Sequence, residues 1–137
     1  MGCRSREKRI LIVDKDESDR LLFAKVLRRA GYEVLEAESE AEASSILSRK
    51  RCDAVLAEIG TTADGWKLVA TLRSVQPLPV IAVAADVSAD SEAARAGCDL
   101  CLEKPVDIRR LPWRVGSVLM MRRRPLGTGT VFEARAC

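Results

Sequence analysis

Five short apolar runs alternate with stretches of helical periodicity along this chain, and that alternation restricts the fold more than any other feature. The runs are Arg9–Val13, Glu33–Ala37, Ala54–Ile59, Val80–Ala84 and Leu100–Leu102, none of them broken by Pro or Gly, and each reads as a strand. Between the first two, residues 18–30 set Leu22, Phe23, Val26 and Leu27 at helical spacing and stop at Gly31, a helix C-terminal signal. Ser39-Glu40-Ala41-Glu42 has the form of a capping box that opens a helix to about Arg49. Trp66–Arg73 and Ser88–Ala96 are the third and fourth helical segments, the latter closed by Gly97. Asp107 is placed to cap a fifth over Ile108–Met121, where Pro112 removes an early N–H and delays or kinks the start. Repeated strand-helix units imply right-handed crossovers and a parallel sheet with helices on both faces. The expected architecture is therefore a doubly wound α/β fold with a five-stranded parallel sheet.

A chain of 137 residues suits one domain with a real core. That domain is expected over residues 9–121, between a basic N-terminal segment (1–8) and a basic, flexible C-terminal tail (122–137). Residues 1–9 carry Arg4, Arg6, Lys8 and Arg9 against Glu7, and residues 122–137 carry four arginines against Glu133, so each end is +3. Removing those eight basic and two acidic residues from totals of 23 and 20 leaves 15 against 18, a mildly acidic body. Basic ends on an acidic body usually aid solubility, and no aromatic residues are interleaved to stack bases, so neither nucleic acid nor membrane is expected as a partner. The longest apolar stretch, Leu78–Ala85, is far too short to cross a bilayer. The N-terminus has no apolar core of a signal peptide, which points to the cytoplasm and to five free cysteines. Cys98-x-x-Cys101 runs into a strand instead of opening a helix, so packing is its expected role, and with no histidine in the chain the cysteines form no recognised zinc spacing.

In a doubly wound sheet the ligand edge is the set of loops after the strands. Asp14, Lys15, Glu58, Ala84 and Lys104 all end or follow a strand and should converge there.

The chain resembles a response-regulator receiver domain (CheY-like superfamily) of bacterial two-component signalling, over about Lys8 to Leu119. The resemblance rests on Ile10-Leu11-Ile12-Val13-Asp14, Gly31-Tyr32-Glu33-Val34, Asp53-Ala54-Val55-Leu56, Asp64-Gly65, Pro79-Val80-Ile81, Ala96-Gly97 and Lys104-Pro105, in that order. It implies a flavodoxin-like strand order 2-1-3-4-5. It also implies a set of roles: two acidic residues after the first strand that hold Mg²⁺, an aspartate ending the third that accepts a phosphoryl group, a hydroxyl ending the fourth, and a lysine. Asp14 matches the first acid and Lys104 the lysine; the rest depart. Lys15 stands at the second acidic position, Glu58 at the acceptor, Ala84 at the hydroxyl, and Cys101 at the aromatic switch position. Asp16 lies one step along, on the turn, where solvation is expected, and Gly60-Thr61-Thr62-Ala63 is a residue short and lacks the usual proline.

Phosphoryl transfer depends on positioning and on metal-assisted charge neutralisation, so losing ligand, acceptor and hydroxyl together predicts a degenerate pseudo-receiver with no catalysis, no metal and no cofactor. Asp14 and Glu58 supply −2 and Lys15 and Lys104 supply +2, so an inward Lys15 stands in for the ion; the alternative is that Lys15 turns to water. Glu58 is expected to pair with Lys104 or Lys15. The expected function is phosphorylation-independent binding of a signalling protein (a histidine kinase, an effector or another two-component protein) within two-component phosphorelay signalling. The face the family uses is built from the fourth helical segment, the fifth strand and the fifth helical segment. Trp113 and Leu119 lie on that last segment as candidate partner residues, with core packing as the plainer reading. Two alternatives stand beside this one: a phosphoaccepting regulator using Asp14 or Asp16, and an adaptor tethered by its basic ends to membrane or nucleic acid. In the tail, Thr130-Val131-Phe132 could add a strand to a partner's edge.

Overall fold

The computed structural model describes residues 7–59, 63–85 and 97–121, with backbone only for 63–66. Residues 1–6, 60–62, 86–96 (with the fourth helical segment expected at 88–96) and 122–137 (with the Thr130-Val131-Phe132 run) lie outside the described residues.

Five parallel strands form one sheet: β1 (Arg9–Val13), β2 (Glu33–Ala37), β3 (Ala54–Glu58), β4 (Val80–Ala84) and β5 (Leu100–Glu103), in the order β2-β1-β3-β4-β5. The helices described are α1 (Glu17–Arg29), α2 (Glu40–Arg49), α3 (Ala63–Val75) and α4 (Leu111–Met121). Period-two alternation divides the strand side chains between two cores. Leu11, Val13, Val55, Ala57, Val80 and Ala82 pack with Ala43 and Leu47 of α2 and with Val69 and Leu72 of α3. Ile10, Ile12, Leu56, Ile81 and Val83 pack on the other face, with Phe23 and Leu27 of α1 and with Leu111, Val115 and Val118 of α4. Because β1, β3 and β4 are covered on both sides, they read as apolar runs with no polar face, with polar side chains only at the ends, Arg9 and Glu58.

The helix ends follow local chemistry. Asp16 is the N-cap of α1, its side chain accepting from the Asp19 N–H at 3.1 Å; the expectation that it was simply solvated missed this role. At the other end the Tyr32 N–H donates to the Leu27 carbonyl and the Gly31 N–H to the Arg28 carbonyl, a Schellman closure that puts Gly31 at φ +100°. The capping box of α2 forms with a shift: Ser39 Oγ accepts from the Glu42 N–H, but the Glu42 carboxylate reaches back to the Glu38 N–H, one residue before the cap. At α4 the expected start is late. Asp107 accepts from the Arg109 N–H and closes a separate turn, and the helix proper begins at Leu111, next to Pro112.

Tyr32, between α1 and β2, packs against the core shared by α1 and α4, with its hydroxyl close to Gly116 of α4.

Candidate functional site

Parallel register fixes which residues meet at the carboxyl edge. Val13 lies opposite Ala37 and Ala57, Glu58 opposite Val83, and Ala84 opposite Glu103. Asp14, Glu58, Ala84 and Lys104 therefore come to one edge from four different strands, and backbone hydrogen bonds carry the register past the strand ends: Asp14 N–H to the Ala37 carbonyl and Lys104 N–H to the Ala84 carbonyl. Lys104 enters the following turn through a cis bond to Pro105.

Asp14 is only 3% exposed. Its Oδ1 accepts from the Asp16 N–H at 2.9 Å, while its buried Oδ2 has no hydrogen-bond partner among the described residues. Burial raises its carboxyl above the usual value, the Asp16 N–H opposes that, the Glu58 charge adds to it, and Lys104 opposes it. Glu58 ends β3 with its Oε2 3.4 Å from the Lys104 ammonium, which also stands 3.5 Å from Asp19 Oδ2. Burial alone would lower the Lys104 pKa; Glu58, through charge and hydrogen bond, then Asp14 and Asp19, outweigh it and hold the ammonium above its ordinary value. Ala84 is fully buried with the α2 and α3 core and offers the cleft only a methyl group.

Lys15 corrects one expectation. Its side chain is exposed and makes no ion pair or hydrogen bond among the described residues, so the inward stand-in for a metal gives way to the outward orientation. The physical reason is adjacent: α1 starts within two residues and the Asp14 side chain already occupies the inward direction at the end of β1. The cleft instead gains a third carboxylate, Asp19, which sequence reasoning missed and which shares the Lys104 ammonium with Glu58. The signal was available, since Asp19 sits in the first turn of α1, capped by Asp16, over the edge where Lys104 emerges. Arg20 was missed as well: it donates to the Asp14 carbonyl at 3.0 Å and pairs with Glu36 at 3.2 Å, clipping α1 to the first two strands.

On β5, Cys101 is partly buried, with its Sγ 2.6 Å from Cys98 Sγ. Between β5 and α4 runs a groove lined by Cys101, Pro105, Val106, Arg110, Leu111 and Arg114. The two candidate partner residues part company. Leu119 packs against the core of α1 and α4, whereas Trp113 is 70% exposed and is no core residue.

The family model of the response regulator receiver domain matches residues 10–115. The chain belongs to that family. This receiver domain is 34% identical over 103 residues to the sensor histidine kinase RcsC of Escherichia coli K12, covering 72% of the chain and 11% of RcsC. It is 34% identical over 118 residues to the transcriptional regulatory protein PrrA of Mycobacterium tuberculosis, covering 83% of the chain and 51% of PrrA. The chain thus spans from about a tenth to about a half of the length of these curated relatives. Among solved structures it is similar to a CheY-like receiver domain protein of Methanospirillum hungatei, with TM-score 0.76 and 27% identity over 86% of this chain and 98% of that one. A two-component response regulator of Clostridium difficile superposes with TM-score 0.77 and 25% identity, covering 86% of this chain and 100% of that one.

Receiver chemistry calls for Mg²⁺, and the residues of this domain do not fit it. Mg²⁺ requires near-octahedral oxygen donors with a carboxylate or two from the protein. Here one acidic position is an exposed lysine, Glu58 is engaged by an ammonium, and among the described residues no group of three or more His, Cys, Asp or Glu is placed to hold a metal.

Among the described residues no helix is long and apolar enough to cross a membrane.

Proposed function

We propose that this receiver domain works as a pseudo-receiver: a phosphorylation-independent, non-catalytic binding module of two-component signalling, acting in the cytoplasm on a partner of the histidine-kinase or effector type. The observation that carries the reading is the contact of Lys104 with Glu58 and Asp19. A cation that a phosphorylatable site would use on an incoming phosphoryl group is already neutralised by two carboxylates of the resting protein. Glu58 mimics a phosphoaspartate poorly, since it brings one negative charge where a phosphate brings about −1.5 to −2 and three acceptor oxygens. Ala84 has no hydroxyl to be drawn toward either group. These features support a domain that rests in one conformation and presents a fixed surface. The groove between β5 and α4, with Arg110 and Arg114 on its wall and Trp113 exposed on the same helix, supports that face as the binding surface.

The test is incubation of the full chain with acetyl phosphate and Mg²⁺, read by intact mass. No phosphoryl adduct is expected. An adduct mapped to Asp14, Asp16 or Glu58 would establish the phosphoaccepting alternative, to which Asp14 Oδ2, without a partner among the described residues, lends its one specific support.

A further inference from the structure

The Cys98–Cys101 pair takes no part in the cleft, and its geometry is unusual for two packing cysteines. The segment that carries Cys98 is fixed from both sides. Gly97 turns at φ +81°, its carbonyl accepting from the Arg73 guanidinium. Asp99 pairs with that same guanidinium, and its carboxylate accepts from the Val80 N–H at 2.9 Å while its own N–H donates to the Val80 carbonyl. One residue further on, β5 locks into the sheet, with Leu100 opposite Ile81 and Cys101 opposite Ala82. Both Cα positions are thus set by backbone bonds that do not involve sulfur, and between them the two Sγ atoms lie 2.6 Å apart. A disulfide needs about 2.05 Å, so the two sulfurs already stand close to bonding distance.

We propose that Cys98 and Cys101 form a redox couple that a small-molecule disulfide of the glutathione class oxidises to an intrachain disulfide. The order of events follows from exposure. Cys98 is buried and Cys101 is partly open, lining the groove beside α4. Cys101, as thiolate, attacks one sulfur of the small disulfide; the S–S bond breaks, one small thiolate leaves, and a mixed disulfide forms on Cys101. Cys98 then gives its proton to solvent and attacks the Cys101 sulfur, expelling the second small thiolate. In sum two protein thiols are oxidised by two electrons and one small disulfide is reduced to two thiols. Cys98 suits the second role: the hydrogen bond with Cys101, then burial, push its thiol well above the ordinary value, so it stays protonated until the mixed disulfide is beside it. The couple is independent of whether the domain accepts a phosphoryl group. Its product would fasten the loop entering β5 to the strand itself, on the wall of the groove.

The test uses the full chain with C3S and C137S, equilibrated in buffers of reduced and oxidised glutathione, acid-quenched, blocked with maleimide and read by intact mass and tryptic mapping. The expected product has lost two hydrogens and two maleimide sites together, with the link inside the single peptide 96–109. It forms at an oxidised-to-reduced ratio about tenfold lower than in the urea-unfolded chain, because the folded pair is preorganised. Adding C98S should leave glutathione mixed with Cys101, and adding C101S should leave Cys98 unmodified in the folded protein. The proposal is overturned if the folded chain keeps both thiols at ratios that link the unfolded one. It is overturned equally if glutathione accumulates on Cys101 with Cys98 present, or if the link runs to Cys52 or to a second chain.

Discussion

A buried carboxylate with one oxygen unsatisfied is costly, and Asp14, at the end of β1, has such an oxygen among the described residues. Its pKa is raised, so the folded protein holds this proton more tightly than the unfolded chain does. The contribution is favourable below the ordinary carboxylate value of 3.8 and is lost as pH rises through the elevated one. Asp14→Asn removes the penalty, and we expect the variant to be more stable than the parent by about 1–2 kcal/mol at pH 7, with the advantage vanishing toward pH 3. Urea denaturation of both proteins across that range measures it, and a parent that gains on the variant as pH rises would contradict the assignment. Glu58→Gln tests the neighbouring contact. The pair is part-exposed, with side chains 19% and 32% accessible, so the loss should be about 0.5–1 kcal/mol. That falls below what a fully buried pair would give, because removing the Glu58 charge also relieves Asp14 and leaves Asp19 on Lys104. A loss of several kcal/mol in the same denaturation assay would show the pair to be a buried keystone.

Among the helices, α1 bears most directly on the cleft, since it delivers Asp19 to Lys104 and Arg20 to the Asp14 carbonyl. Its closure depends on Gly31, whose left-handed backbone no L side chain adopts without strain, although open space surrounds the position. Gly31→Ala should therefore cost about 1–3 kcal/mol through backbone conformation alone, seen as a lowered urea midpoint with unchanged slope. A neutral result would mean the turn can reorganise. Elements of this kind were legible in the sequence because each carries its own punctuation: Gly31 after α1, Ser39 before α2, and unbroken apolar runs for the central strands. The strand order needed the family resemblance as well. What local pattern could not supply was orientation across the cleft. Whether Lys15 turned in or out depended on the room left by Asp14, and while Glu58 pairs with Lys104 as expected, the second partner of Lys104, Asp19, came from α1. Core packing was the plainer expectation for Trp113, yet the inward stripe of α4 is Leu111, Val115 and Val118, and Trp113, two residues from Leu111, falls on the opposite face in water.

At the scale of the molecule the sheet separates two cores, one roofed by α2 and α3, the other by α1 and α4. The charged edge belongs to both, with Ala84 on the first side and Asp19 reaching in from the second. Following either core independently would ordinarily require an introduced label. The second core already contains one. Tyr32 is the sole tyrosine of the chain, and burial beside Gly116 raises its phenol above the ordinary value of 10.0. Its ionisation is an optical signal from one known place between α1 and α4. In the folded protein the phenolate absorbance should appear at higher pH than in the urea-unfolded chain, and the stability tied to the neutral phenol should fade as pH climbs past 10. Coincident phenolate curves in the two states would mean that the ring is solvated after all. A single phenol thus allows the tightening or loosening of one face of this domain to be followed by absorbance in the unlabelled protein.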